Sequence, residues 1–188
     1  MSKVITFSRT FPAYHPRKGE PTYFVEAILT ELGINYKTGK YFKWLVDNNP
    51  KISGVFLVKF FDSLKRDIDP KKHTIRAHKR PLKVGEYINP HCWAGKPYNK
   101  TEEGFWQIKF APDIEIKKVW DFEMDLNGVY SINGKYILSE DDDATEIKLA
   151  KNDGFDDPAD LFNWFMPNFN KPKHFTGQIL CWSDSVNY

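Results

Sequence analysis

Apolar positions run at helical spacing in the first third of the chain and at a spacing of two in the middle. Residues 4–11 (VITFSRTF) open with β-formers and predict a strand, and Ser8, Arg9 and Thr10 break its apolar run and are expected to face a cleft. Residues 12–21 are rich in Pro and Gly and predict a loop. Phe24, Val25, Ile28, Leu29 and Leu32 then recur every three or four positions up to Gly33, which predicts a helix and its stop. Tyr41, Phe42, Leu45 and Val46 repeat the pattern, and so do Phe56, Leu57, Phe60, Phe61 and Leu64 before Pro70.

Beyond Pro70 the pattern becomes extended. Residues 73–76 and 87–93 predict two strands with a turn at Gly85 between them. Residues 105–110 and 114–124 alternate around Pro112-Asp113, and residues 129–138 carry Asn133-Gly134, the preferred two-residue hairpin turn. A short helix is expected over 144–151, closed by Gly154. Asp157-Pro158 predicts an N-cap with proline at the first helical position, opening a second helix through Phe165. Residues 175–182 (FTGQILCW) predict the last strand. Helices gathered early and late around antiparallel strands imply an α+β fold built on a small open barrel.

Length and composition narrow the class. A chain of 188 residues with 41% hydrophobic and 16% aromatic content suits one domain with a real core. The apolar runs are too short and too charged to span a membrane, and the N-terminus shows no signal-peptide pattern. Cys92 and Cys181 make no disulfide framework, so the expected setting is cytoplasmic. No C-x-x-C pair occurs, and His73, His78 and His91 fit no metal-ligand spacing, so neither metal nor cofactor is expected.

Charge is distributed unevenly although the total is +2. Residues 71–100 hold eight basic side chains against Glu86 alone, a net of +7, and residues 139–160 hold nine acids against two lysines, a net of −7. The acids at 141–143 read as a solvated loop. The basic stretch is interleaved with Tyr87, Trp93 and Tyr98, which suits a polyanion that also offers flat bases to stack. A solvated basic surface over core aromatics is the plainer alternative.

The stretch that gathers the chemistry is KKHTIR, residues 71–76. As a strand it puts Lys72, Thr74 and Arg76 on one face and His73 and Ile75 on the other, with Lys71 at the entrance after Pro70. His91 and Trp93 follow on the next strand, and Trp93 and Tyr98 flank the loop Gly95-Lys96-Pro97.

These residues carry a resemblance. The order of ITFSRTF, the K-x-x-T-x-R strand formed by Lys71, Thr74 and Arg76, the Ala150–Phe155 segment AKNDGF and the closing FTGQILCW is similar to the ASCH domains, relatives of the PUA RNA-binding fold. Within that superfamily it resembles small bacterial acetylcytidine amidohydrolases. The resemblance covers most of the chain and leaves a helical insertion at about 12–54. It implies a PUA-like small β-barrel of mostly antiparallel strands with flanking helices, and a cleft along the K-x-x-T-x-R strand. By position, Lys71, Thr74 and Asp153 match the catalytic set of the amidohydrolase branch. That branch has Glu where this chain has Asp153, and Asp is one methylene shorter, which puts its reach in doubt.

The functional expectation is a binding module for RNA or a modified nucleotide, with Arg9, Lys72, His73, Arg76, His91, Trp93, Lys96 and Tyr98 as ligand contacts. One alternative is a metal-independent amidohydrolase acting on an acylated nucleoside. In it Lys71 deprotonates Thr74, Thr74 attacks the carbonyl, and Arg76 or backbone N–H groups steady the oxyanion. The others are a ribonuclease and a protein-interaction module that presents Tyr41, Phe42 and Trp44 from the helical insertion.

Overall fold

The computed structural model describes residues 2–64, 67–77, 79, 81–95, 107–137, 139–166 and 174–188. Within them the fold is α+β, with five helices and two sheets. The order is β1 (Lys3–Phe7), α1 (Phe24–Glu31), α2 (Gly39–Asn48), α3 (Gly54–Ser63), β2 (His73–Ala77) and β3 (Tyr87–Trp93). Then come β4 (Gln107–Lys109), β5 (Ile114–Glu115), β6 (Lys118–Asp125), β7 (Tyr130–Ile132) and β8 (Lys135–Ile137). The chain closes with α4 (Ser139–Asn152), α5 (Pro158–Phe165) and β9 (His174–Cys181).

The first sheet is built on β3. β1 runs parallel to it in the register Lys3↔Ile88 to Phe7↔Cys92, and β4 and β5 pair with its other edge, antiparallel. A parallel neighbour demands a long crossover, and α1, α2 and α3 supply it. Asn49, at the end of α2, grips the free edge of β4. Its Oδ1 accepts from Lys109 N and its Nδ2 donates to Lys109 O, both at 2.9 Å, which pairs an edge residue that a strand would otherwise pair.

The second sheet has the order β2-β9-β6-β7-β8, all antiparallel. Asn133 and Gly134 both take positive φ between β7 and β8, as the hairpin turn requires. Two residues carry the chain from one sheet to the other. Ile116 donates its N–H to Glu86 O in the first sheet, and Lys117 donates to Cys181 O in the second.

The expected barrel is not found. Among the described residues the sheets do not close, and β1 and β9, expected in one curved sheet, belong to different ones. The sheets meet at the Ile116–Lys117 corner. On the other side two edge strands, β1 and β2, face each other without a backbone ladder, and the Arg76 guanidinium crosses between them to donate to Thr6 O at 3.3 Å. One core cluster nevertheless draws on both sheets, from Phe7 and Ile88 to Phe122 and Ile179.

α1 packs into the core. Phe24 to Leu29 are all buried, and Ala27 O accepts from Lys71 N at the mouth of β2. α4 begins at Ser139, so the acids at 141–143 belong to a helix and not to a loop.

α4 ends on Gly154, whose φ of +84° lets Phe155 N reach back to Ala150 O at 2.9 Å. A Cβ at Gly154 would lie 3.1 Å from Phe24 Cδ1 and 3.2 Å from Lys71 Cδ. Glycine therefore serves both the left-handed turn and the approach of α4 to Lys71. Gly154→Ala is expected to lower stability by about 1–2 kcal/mol from the backbone alone, and by more from the crowding, read as a lower urea midpoint.

Candidate functional site

The open seam between β1 and β2 is a cleft of about 260 Å³. Its polar side chains are Thr6, Ser8, Lys71, Thr74, Arg76 and Asp153, and Phe7, Tyr14, Phe24, Trp93, Phe155, Trp164 and Phe165 line the rest. The loop before α1 supplies one wall because it is clasped to α5. His15 Nε2 lies 3.1 Å from Asp160 O, and Arg17 reaches Asp156 and Asp160 at 2.6 Å each. This clasp sets Tyr14, which donates to Trp164 O.

Lys71 and Asp153 form the centre. Their exposures are 1% and 2%, so both charges have left water. Lys71 Nζ donates to Asp153 Oδ1 at 2.5 Å and also to the Asp153 backbone carbonyl. Asp153 follows the last residue of α4, so the ammonium also meets the negative end of that helix. The Phe24 ring lies below Nζ, 4.6 Å to its centroid. His73 approaches the same Oδ1 from the other side, with Nδ1 at 3.6 Å.

Burial dominates the acid–base behaviour. It pulls the Lys71 ammonium down from its usual value to about 8, against the attraction of Asp153, and the charge of Arg76 adds to the fall. Burial pushes the Asp153 carboxyl up, but Lys71 and His73 together hold it below the usual range. Burial lowers His73 despite the carboxylate beside it, so the imidazole is neutral near pH 7.

Thr74 and Arg76 complete the polar floor. Thr74 is buried, and none of the hydrogen bonds found among the described residues joins it to Lys71 or Asp153. Arg76 stacks on Phe7 at 4.9 Å, and its Nε is buried with no hydrogen-bond partner among the described residues. Asp153 reaches Lys71 fully despite its shorter side chain, because the Gly154 turn brings its backbone to the ammonium.

The remaining candidates scatter. Arg9 lies in an adjoining cleft of about 360 Å³ that shares Ser8 and Trp93 with the first. Its guanidinium donates to Ser63 Oγ at 2.7 Å and stacks over Phe60. Lys72 is half-buried and lines neither cleft; its backbone pairs with Asn152 O and Trp182 N. His73 faces away from the cleft toward Tyr188, and His91 sits on β3 with Nδ1 3.2 Å from Asn89 O. Lys96 and Tyr98 lie outside the described residues.

The aromatics expected to face a partner pack inward. Tyr41 is buried and donates to Phe110 O at 2.8 Å, Trp44 stacks on Tyr41, and Phe42 meets Phe61 edge-on. Val46 on α2 and Val55 and Val58 on α3 stay exposed instead. The aromatic walls at Phe24, Phe155, Trp164 and Phe165 were not foreseen as ligand contacts, because helical spacing marks such residues only as core. Among the described residues no group of His, Cys, Asp or Glu is placed to hold a metal ion, and no helix is long and apolar enough to cross a membrane.

No family model, curated protein or solved structure matches the chain.

The pair makes stability depend on pH at both ends. Lys71 in the folded chain binds its proton more weakly than in the unfolded chain. Between about 8 and the unfolded value near 10.5 the unfolded state holds the extra proton, so this contribution rises with pH across that window. The Asp153 contribution is full above the unfolded carboxyl value of 3.8 and disappears as pH falls through the lower folded value. Subtracting the pH–stability curve of Lys71→Met from the parent's is expected to show the alkaline rise. Asp153→Ala, which strands a buried amine, is expected to cost about 3 kcal/mol at neutral pH.

Proposed function

We propose that the cleft is a pocket for a single planar, polar heterocycle, and that the protein is an ASCH-like module binding a modified nucleoside or nucleotide. The carrying observation is the form of the site. It is small, walled by aromatic rings and floored by Lys71, Thr74, Arg76 and Asp153, which suits one base taken out of a stack. A broad basic groove for a phosphate backbone would need Lys72 and its neighbours in the cleft, and Lys72 is outside it. The unpartnered Nε of Arg76 leaves a donor for a ring nitrogen or carbonyl oxygen of the ligand. The sheets that meet at one corner and part at β1 and β2 are compatible with an opened version of the PUA-like barrel that the motifs imply.

A second reading, amidohydrolysis of an acylated nucleoside, is favoured by Lys71 in particular. With its value near 8, about one molecule in ten carries a neutral amine at pH 7, far more than for an ordinary lysine. The Thr74 hydroxyl would attack the acyl carbon and its proton would pass to that amine. The C–N bond would break with the proton returned to the leaving nitrogen, and water would then hydrolyse the acyl-threonine ester. Lys71 Nζ is committed to Asp153 rather than to Thr74, so this chemistry requires the neutral amine to turn toward the hydroxyl.

Tryptophan fluorescence with acetylcytidine and cytidine separates the readings. Saturable quenching is expected with acetylcytidine, and Trp93→Ala is expected to weaken it about tenfold, the loss of one stacked ring. Nucleoside affinity should be nearly indifferent to salt, whereas short single-stranded RNA should show a log–log salt slope of about −0.7 for each phosphate contacted. Release of acetate, lost in Thr74→Val with binding retained, would establish hydrolysis. No binding of any nucleoside, with the chain folded, would refute the pocket.

A further inference from the structure

We propose that Tyr188 and His73 are positioning residues for the Lys71–Asp153 pair, the Tyr188 hydroxyl fixing the His73 ring as the tautomer whose Nδ1–H faces the Asp153 carboxylate. As a device of the cleft this rests on the reading of the cleft as the functional site; as a statement about proton placement it stands on the following geometry.

The direction of the hydrogen bonds is set at one end. Asn152 Nδ2, which can only donate, reaches Tyr188 Oη at 3.0 Å. The phenol therefore accepts there, and its single O–H is left for His73 Nε2, 2.8 Å away. An Nε2 that accepts forces the proton of a neutral imidazole onto Nδ1. The ring is fully buried, and burial favours the neutral form.

At the other end Nδ1 is buried and has no hydrogen-bond partner among the described residues. Asp153 Oδ1 lies 3.6 Å from it, the same oxygen that Lys71 Nζ holds at 2.5 Å. A shift of about half an ångström closes that gap to an ordinary hydrogen bond. Two donors would then share one oxygen, and whatever charge the imidazole N–H draws is withdrawn from the ammonium. The groups facing His73 are Asp153 and Lys71 on the cleft side, Tyr188 on the other, and Cys181 opposite it on β9. Lys71 faces Asp153, Arg76 and the Phe24 ring.

Tyr188 is held for this task. Its ring meets Trp120 and His73 edge-on, and Lys118 Nζ ties down the preceding segment through the carbonyls of Asp184 and Val186. Asp153 favours the charged form of Lys71 against its burial, which leaves the ammonium at about 8. A hydrogen bond from the imidazole N–H to the same oxygen weakens that attraction further.

The test is nitrogen–proton correlation spectroscopy of the histidine rings in the full chain, with the Lys71 side chain followed through a pH titration. His73 is expected to show the Nδ1–H pattern in the parent. In Tyr188→Phe, which keeps the ring, His73 is expected to move toward Nε2–H. The Lys71 midpoint is expected to rise by about half a unit, a threefold change in the amine fraction. Asn152→Ala, which keeps Tyr188 but removes the fixed donor, is expected to give mixed tautomers and a smaller rise. An Nε2–H tautomer in the parent overturns the proposal even where a variant does not fold. So does an unchanged Lys71 midpoint in a folded Tyr188→Phe chain. Neither readout involves a ligand, so a cleft that binds no nucleoside leaves this result standing on its own.

Discussion

The Lys71–Asp153 pair is the constraint on which the rest of the structure depends. Both charges are out of water, and a buried pair recovers by attraction little more than its desolvation costs. Its neighbours show what it organises. Lys71 N bonds α1 through Ala27 O, Lys71 O accepts from Trp182 Nε1, and Lys72 N and O bond Asn152 and Trp182. The two lysines thus tie α1, the end of α4 and the end of β9 at one point. An apolar pair of the same volume could fill that space at no greater cost, so stability alone does not account for a charge there. Its place in the wall of a cleft does.

The cleft exists because the two sheets stop short of each other. At Ile116 and Lys117 consecutive residues bond to different sheets, which makes a tight corner. Opposite that corner β1 and β2 are both edges, and side chains take over from backbone pairing. Arg76 on β2 donates to Thr6 O on β1. Had β1 and β2 paired, the ladder would have filled the space and the polar floor would have been sealed. The unpaired seam therefore opens access to Lys71, Thr74 and Arg76 together. It leaves Arg76 Nε buried with no hydrogen-bond partner among the described residues, a cost that backbone pairing would not have relieved.

Much of the fold is legible in the chain because its elements obey local rules. Apolar spacing locates α1, α2 and α3, Asn133-Gly134 locates the β7–β8 hairpin, and Asp157 caps α5 through Asp160 N as its sequence predicts. Local rules fail where a choice is made elsewhere. Period two marks strands without saying which edges stay unpaired, so the barrel expectation overshot. A run of acids reads as solvated loop, although residues 141–143 lie within α4. Of the candidate site residues read from the sequence, Lys71, Thr74, Arg76 and Asp153 are drawn to one cleft, while Lys72 and His73 turn elsewhere. Lys72 falls outside because its backbone is consumed in joining α4 to β9. The aromatic walls were hidden for another reason: Phe24 and Trp164 are core residues on one side and cleft residues on the other, and spacing records only the first.

The short acidic side chain gains a meaning from this packing. A glutamate in place of Asp153 would carry its carboxylate one methylene further from α4, toward the open part of the cleft. Here the turn at Gly154 presses the main chain against Lys71 so closely that Asp153 grips the ammonium with both its carbonyl and its Oδ1. The methylene is unnecessary for holding the lysine and is missing only for reaching past it. The same carboxylate accepts no hydrogen bond from Thr74 and instead lies within 3.6 Å of His73. The aspartate therefore belongs to a network that runs backward from the cleft, through His73 to Tyr188, where a longer acid would have looked forward to the hydroxyl. Held this way, Asp153 fixes the Lys71 ammonium in the wall of the cleft.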